Sequence, residues 1–379
     1  LSLGNDEEVL ACAQNLKVVA EREKTEDGWM DRLTCPTQEV VLFCRQLQVM
    51  LSSGVPVYQA LETLSTRDEH PQFGRAVDMV ARKVGGGNRL SQSLRLFPRI
   101  FDTVFIALIA VGEETGQLDK CLDRLARWKE RDLEMRRKMR SAMTYPVLVL
   151  VLTVVMTLFL FIWILPGFID IFTAMGADLP LPTRFLIAAT HMTVSPAFWL
   201  VIIVLGVAAM HGLRRYLSSP QGRAEMTLLI MTIPSIGPLL HNAGAARMAA
   251  SVGTMLDSGM DLTRSLALGA EASGNAAIML DSKRLLQEIR LGSLTSVAMS
   301  EREDLYPSNL LQMVKVGEQA SDLPEMFKRA AEFHEEETNH LIDTLGAALE
   351  PVLLAGVAII LGFVLISVFL PLYGHLDKL

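Results

Sequence analysis

One shift of 205 residues lays the second half of this chain over the first. Met50, Leu51, Ser53 and Gly54 recur as Met255, Leu256, Ser258 and Gly259. Val111-Gly112-Glu113 recurs as Val316-Gly317-Glu318, Leu118 as Leu323, Pro146-Val147-Leu148 as Pro351-Val352-Leu353, and Pro166 as Pro371. Landmarks this far apart do not stay in register by chance without a net gap. Internal repetition comes before any other reading because it fixes the unit that has to fold. Each copy runs from a polar, helix-patterned region into a long uncharged stretch. The expected fold is an all-α membrane protein: two helical bundles in tandem repeat, each followed by a transmembrane helix, with one extra span between them.

Half the chain is hydrophobic, which favours a membrane class. No Asp, Glu, Lys or Arg occurs from Ser141 to Ile169, from Phe185 to Leu213, or from Pro351 to Leu376. Each run exceeds the roughly 20 residues a spanning helix needs. Pro196 and His191 sit in the first half of the middle run, so the span there is expected at 197–213. Lys129, Arg131, Arg136, Arg137, Lys138 and Arg140 precede the first span, and Arg214, Arg215 and Arg223 follow the second. The connection between them holds only Arg184. Basic residues mark the cytoplasmic side. The expected order is an N-terminal segment (1–38), a first cytoplasmic helical domain (39–140), a span (141–169), an outer loop (170–196) and a span (197–213). A second cytoplasmic domain (214–346), a third span (347–373, outward by parity) and a short outer tail (374–379) complete it. The chain opens at Leu1 rather than Met, so its natural start is expected upstream. Asp6, Glu7 and Glu8 with no long apolar run do not read as a signal peptide.

Within the polar regions, Leu47, Met50, Leu51, Val57, Leu61 and Leu64 give apolar positions three and four apart. No alternating run suggests a strand, and five or six short helices per half are expected. Gly54 and Gly259 break the pattern at the same place, and Pro56 and Asp261 follow them as a new helix start. A glycine inside a helix costs about 1 kcal/mol relative to alanine. The recurrence of Gly112 at Gly317 therefore points to a backbone approach that only glycine allows, and leucine there should force packed helices apart. Gly116 fits a helix C-cap; its second-copy counterpart is Ser321. Two readings of Glu113 and its mate Glu318 stay open: a capping or buried hydrogen-bonding group at a helix junction, or a partner or ion site. Pro146 and Pro351 fit a helix entrance or a kink.

Chemical signals are weak. His334-Glu335-Glu336-Glu337-Thr338-Asn339-His340 fails the zincin pattern, because Thr338 stands where the second His belongs. Glu337 and His340 have Glu-x-x-His spacing, but Asp132 and Met135 occupy those places in the first copy, so a solvated helix face is expected. Gly85-Gly86-Gly87 reads as a turn, since no Gly-Lys-Ser/Thr follows anywhere. No Gly-x-Ser-x-Gly occurs. Cys12, Cys35, Cys44 and Cys121 lack CxxC spacing and precede the first span, as reduced cytoplasmic thiols would. No basic stripe with interleaved aromatics points to nucleic acid. The spans carry no intramembrane charge of the kind a transport pathway needs. The leading expectation is a scaffold without cofactor or metal and without enzymatic activity; the alternative is a membrane channel or transporter subunit.

Phe43-Cys44-Arg45-Gln46-Leu47, Leu51-Ser52-Ser53-Gly54-Val55-Pro56, the Val111–Leu118 element and Leu179-Pro180-Leu181-Pro182-Thr183 together resemble the GspF/PilC family. That family is the polytopic inner-membrane platform protein of type II secretion systems and type IV pili. The likeness covers about residues 39–375 in order; the second copy departs from it at Ala250 and Ser321, which replace Arg45 and Gly116. The resemblance implies two cytoplasmic six-helix bundles and three spans in a bacterial inner membrane. The implied role is to couple a cytoplasmic assembly ATPase to pilin or pseudopilin filament assembly. Expected partners are that ATPase, other inner-membrane machine components, the pilin subunits, further copies of the chain as a homo-oligomer, and the lipid bilayer.

Overall fold

The structure, a computed structural model, describes residues 35–66, 70–168, 183–185, 188, 195–234 and 236–376. Cys12, most of the expected outer loop and Leu179-Pro180-Leu181-Pro182 lie outside the described residues, as do most of the expected N-terminal segment and the end of the tail. The described residues form helices and no strand. In chain order these are α1 (Thr37–Ser52), α2 (Val57–Ser65), α3 (Pro71–Gly85), α4 (Leu90–Leu94), α5 (Thr103–Thr115) and α6 (Leu118–Phe159), the last running into a π-helical turn (Leu160–Ile164). Then come α7 (Pro196–Leu217) and α8 (Pro220–Met231). The second copy follows as α9 (Gly237–Asp257), α10 (Leu262–Ala272), α11 (Ala276–Arg290), α12 (Thr295–Ser300), α13 (Ser308–Ala320) and α14 (Leu323–Leu376).

Among the described residues, those up to Glu134 and from His241 to Glu335 form one compact unit, and those from Met135 to Leu240 and from Glu336 onward another. In the first unit α1 buries Val40, Val41, Phe43, Cys44 and Leu47, the stripe its spacing dictates. It stops at Gly54, whose φ of +83° places it in the left-handed region; the Val55 amide then bonds back to the Met50 carbonyl at 3.0 Å. The second copy repeats this stop at Gly259, φ +89°, with Met260 bonded to Met255 at 3.0 Å. After each stop a new helix starts, under Pro56 in one copy and under Asp261, whose side chain accepts from the Arg264 amide, in the other.

The second unit holds the apolar helical stretches. Among the described residues, three helices are long and apolar enough to cross a membrane, with windows of mean hydropathy 3.0, 2.0 and 3.0. Leu165 packs against Val364 and Val368, Phe185 meets Phe363 edge-on at 6.0 Å, and the Thr183 hydroxyl donates to the Ser367 carbonyl at 2.7 Å. Pro146 and Pro351 are not helix entrances: α6 and α14 run unbroken through both. Proline withholds one amide from the helical ladder, a defect that membrane helices tolerate because the freed carbonyl is satisfied by local adjustment. The helix that carries the middle apolar run, α7, ends at Leu217 with Arg214 and Arg215 in its last turn, where cations complement the helix dipole.

Candidate functional site

The repeated Val-Gly-Glu element closes on the same two targets in each copy. Glu113 lies in α5 and reaches the start of α4, a helix with no side-chain cap of its own. Its Oε1 accepts from the Leu90 amide at 2.5 Å, and its Oε2 accepts from the Ser91 amide at 3.2 Å and the Ser91 hydroxyl at 2.5 Å. In the second copy Glu318 accepts from the Thr295 amide at 2.5 Å, the Ser296 amide at 3.3 Å and the Ser296 hydroxyl at 2.5 Å. The first amides of a helix lack intrahelical acceptors, and here a carboxylate from another helix supplies them.

The glycine one residue earlier allows a second close approach, to the start of the helix that follows. A Cβ on Gly112 would lie 2.9 Å from the Leu118 Cα and 3.1 Å from the Cys121 Cβ. On Gly317 it would lie 3.0 Å from the Met326 Cβ and 3.2 Å from the Leu323 Cα. Each helix then ends on a left-handed residue, Gly116 at φ +68° and Ser321 at φ +56°. Behind each, the next amide bonds back to the glycine carbonyl, Gln117 to Gly112 at 3.0 Å and Asp322 to Gly317 at 2.9 Å. Glu113, Gly112 and Gly116 thus belong to one junction, as do Glu318, Gly317 and Ser321. Gly54 and Gly259 sit at separate helix stops, and Pro146 and Pro351 lie in the long helices of the other unit.

The two copies also touch each other. Arg124 of α6 donates to the Asp257 carbonyl at 2.7 Å and to the Ser258 hydroxyl at 3.1 Å, and pairs with the Asp257 carboxylate at 3.0 Å. Lys328 meets the same carboxylate at 3.0 Å. Met255, Met260 and Leu268 join the first copy's core.

Several polar residues stand out only in three dimensions. Asp281 is buried and receives the Arg284 guanidinium at 2.8 and 2.9 Å and the Tyr306 hydroxyl at 3.0 Å. Its hydrogen bond holds the Arg284 guanidinium above its usual range, while burial raises the Tyr306 phenol. Arg302 hydrogen-bonds Asp304 and holds that carboxyl below its usual range. Reading the repeat position by position would have flagged this cluster, since Arg302 and Tyr306 replace Phe97 and Phe101. His334 was expected on a solvated face but is buried, with its Nδ1 donating to Asn242 Oδ1 at 2.7 Å. The i, i+4 spacing turns His334 and Thr338 inward together, while His340 stays exposed beside Thr344. Burial, then His241, pushes the His334 imidazole down to about 4. Among the described residues, no group of three or more His, Cys, Asp or Glu side chains is placed to hold a metal ion. Cys44 and Cys121 are buried free thiols, both raised by burial.

The family described as "Type II secretion system (T2SS), protein F" matches the chain twice, over residues 43–166 and 248–371, which lie 205 residues apart. A "Type IV pilus assembly protein PilC" of Thermus thermophilus is 33% identical over 342 residues, covering 90% of this chain and 84% of that protein. A "Type IV pilus assembly protein TapC" of Aeromonas hydrophila is 31% identical over 88% of this chain and 81% of its own length. A "Type II secretion system protein F" of Vibrio cholerae is 28% identical over 94% of this chain and 87% of its own length.

Proposed function

The chain belongs to the type II secretion system protein F family, and on that premise we propose that it is the inner-membrane platform of a type II secretion or type IV pilus machine. In this role it couples a cytoplasmic assembly ATPase to the insertion of pilin or pseudopilin subunits into a growing filament. The observation that carries the reading is the double family match, with relatives named for pilus assembly and for type II secretion. The architecture supports it: both helical copies pack into one unit, and the repeated Glu113 and Glu318 carboxylates brace helices inside it. Rigid helical surfaces suit a protein that grips others. Both copies face the cytoplasm in this reading, the side the basic flanks indicate, and the C-terminus lies in the periplasm.

The test is a deletion strain carrying the gene back on a plasmid. Filament or secretion output should vanish on deletion and return with the plasmid, while the purified ATPase hydrolyses ATP at its normal rate throughout. Normal filaments without the protein would overturn the proposal. Solute flux through vesicles holding only this chain would favour the channel alternative.

A further inference from the structure

The junction between the two repeats is used once inside the chain, yet each of its halves exists twice. On the first-copy side, eight of the thirteen α5 residues are buried, Val111 to 6% exposure. The repeat mate of α5 is α13, where three of thirteen are buried and Val316, in the place of Val111, is 51% exposed.

The opposite half of the junction is open at the other end of the chain. Met255 and Met260 are buried against the first copy, but their mates Met50 and Val55 are only partly buried. Val49 and Tyr58 are 52% and 42% exposed, where the second copy carries Thr254 and Thr263. The polar latch shows the same asymmetry. Arg124 holds Ser258, but its mate Arg329 stays on its own helix with Glu325 at 3.0 Å, its side chain 63% exposed. Ser53, the mate of Ser258, is exposed, and its hydroxyl donates to the Val49 carbonyl at 2.8 Å. The contact between repeats is therefore heterologous: it joins two different faces, and among the described residues it leaves one of each unused. A contact of that kind propagates from molecule to molecule.

We propose that a second copy of this chain covers the open α13 face with the α1–α2 end of its own first repeat, so that molecules join head to tail through the contact that already joins the repeats. Arg329 then reaches Ser53 of the neighbouring molecule as Arg124 reaches Ser258, and Val316 meets the α1–α2 end that carries the exposed Val49 and Tyr58. This assignment stands on the repeat geometry and is independent of the platform reading.

The Cys121 and Ser258 side chains are in contact across the internal junction, and their mates are Met326 and Ser53. That equivalence sets the experiment. Full-length chains carrying Cys12→Ser and Cys35→Ser are prepared in two tagged batches, one with Met326→Cys and one with Ser53→Cys. They are mixed in liposomes and mildly oxidised. A parallel Ser258→Cys chain bridges to its native Cys121 and reports that the fold and the chemistry are intact. The expected result is a disulfide-linked dimer bearing both tags, formed only in the mixture and reduced at least tenfold when Val316→Asp is added to the Met326→Cys chain. Absence of that dimer while the Cys121 bridge forms would overturn the proposal, as would a dimer that Val316→Asp leaves unchanged. Protection of the Met326→Cys thiol within the monomer, relieved by removing residues 1–33, would assign the face to the chain's own leading segment instead. Protection seen only in membranes containing the whole machine, without the Ser53→Cys cross-link, would assign it to a different protein.

Discussion

The two repeats share a scaffold and fill it with opposite chemistry. In the first copy, Phe43, Phe73, Phe101 and Phe105 form an aromatic cluster with ring centroids 5.6 Å apart for Phe43–Phe73 and 4.9 Å for Phe101–Phe105. Their mates are Met248, Ile278, Tyr306 and Leu310, and the neighbouring Phe97 and Ala76 become Arg302 and Asp281. Where one core stacks rings, the other gathers the Asp281 carboxylate, Arg284 and the Tyr306 hydroxyl. The helix stops at Gly54 and Gly259 and the carboxylate braces at Glu113 and Glu318 are the same in both. The fold is thus specified by backbone devices at helix ends and junctions. The filling between them is free to change as long as every buried polar group keeps a partner.

The largest expected effect tests that statement directly. Asp281→Ala introduces the first copy's residue but strands the buried Tyr306 hydroxyl and takes one carboxylate from Arg284, which keeps Glu288 and Glu301. Removing one member of a buried ionic network destabilises by about 3 kcal/mol. Thermal melting followed by circular dichroism should show the loss. Adding Arg302→Phe and Tyr306→Phe, which returns the first copy's side chains at all three positions, should recover most of it, because exchanging a whole buried polar network for apolar groups is often close to neutral. A triple variant as unstable as Asp281→Ala would mean the two cores are not interchangeable solutions.

Next in size is the brace. Glu113→Ala leaves the Leu90 and Ser91 amides and the Ser91 hydroxyl without their acceptor, and Glu318→Ala does the same at Thr295 and Ser296. Each should cost about 2 kcal/mol, the scale of a lost charge-assisted bond to a partly buried donor. Denaturant titration of the two variants should give nearly equal losses. A negligible loss in either copy would return that glutamate to the partner-or-ion reading.

These devices were unequally legible. The repeat, the three apolar runs and the glycine stops could be read from spacing, because their causes are local: one offset, one length, one backbone conformation. The element Val111-Gly112-Glu113 was visible as a motif, yet the carboxylate's destination lies 23 residues back, at Leu90, and nothing in local sequence names it. Pro146 left an entrance and a kink both open, since propensity argues for a break there; the membrane environment lets α6 run on through it. The buried side of His334 was masked by the acidic residues around it. Only the partner helix α9, with Asn242 and His241, shows that this face is dry.

That histidine gives the third contrast between the copies. At the same position of the long helix, the first copy carries Lys129, ion-paired with Asp102, whereas the second carries a neutral His334 bonded to Asn242. The imidazole's folded value is depressed from 6.5 to about 4, so the unfolded chain binds the extra proton first as pH falls. The stability it contributes is complete above about pH 6.5 and declines as pH falls toward about 4. His241 faces it and is also lowered by burial, opposed by the Leu305 backbone and Asp304. Hydrogen exchange on the whole protein should therefore quicken in α9 and the start of α14 across that window, and His334→Gln should flatten the response. An equal quickening in α5 and α6 would show that the acid loss is not set by this imidazole.

The smallest effect concerns the residue that ends each junction helix. Gly116 and Ser321 hold the same left-handed conformation, at φ +68° and +56°, and only the first is glycine. Left-handed backbone costs a residue with a Cβ about 1 kcal/mol relative to glycine. Ser321 therefore carries strain that Gly116 does not, and exchange in the two directions should have opposite signs. Ser321→Gly should raise stability by up to about 1 kcal/mol and Gly116→Ser should lower it by a similar amount. A Cβ at Gly116 meets nothing within 4 Å, so the second substitution reads conformational strain and not a clash. If Ser321→Gly instead lowers stability, the serine contributes more than its backbone costs, and the second copy's junction is held by its side chain as well as by the turn.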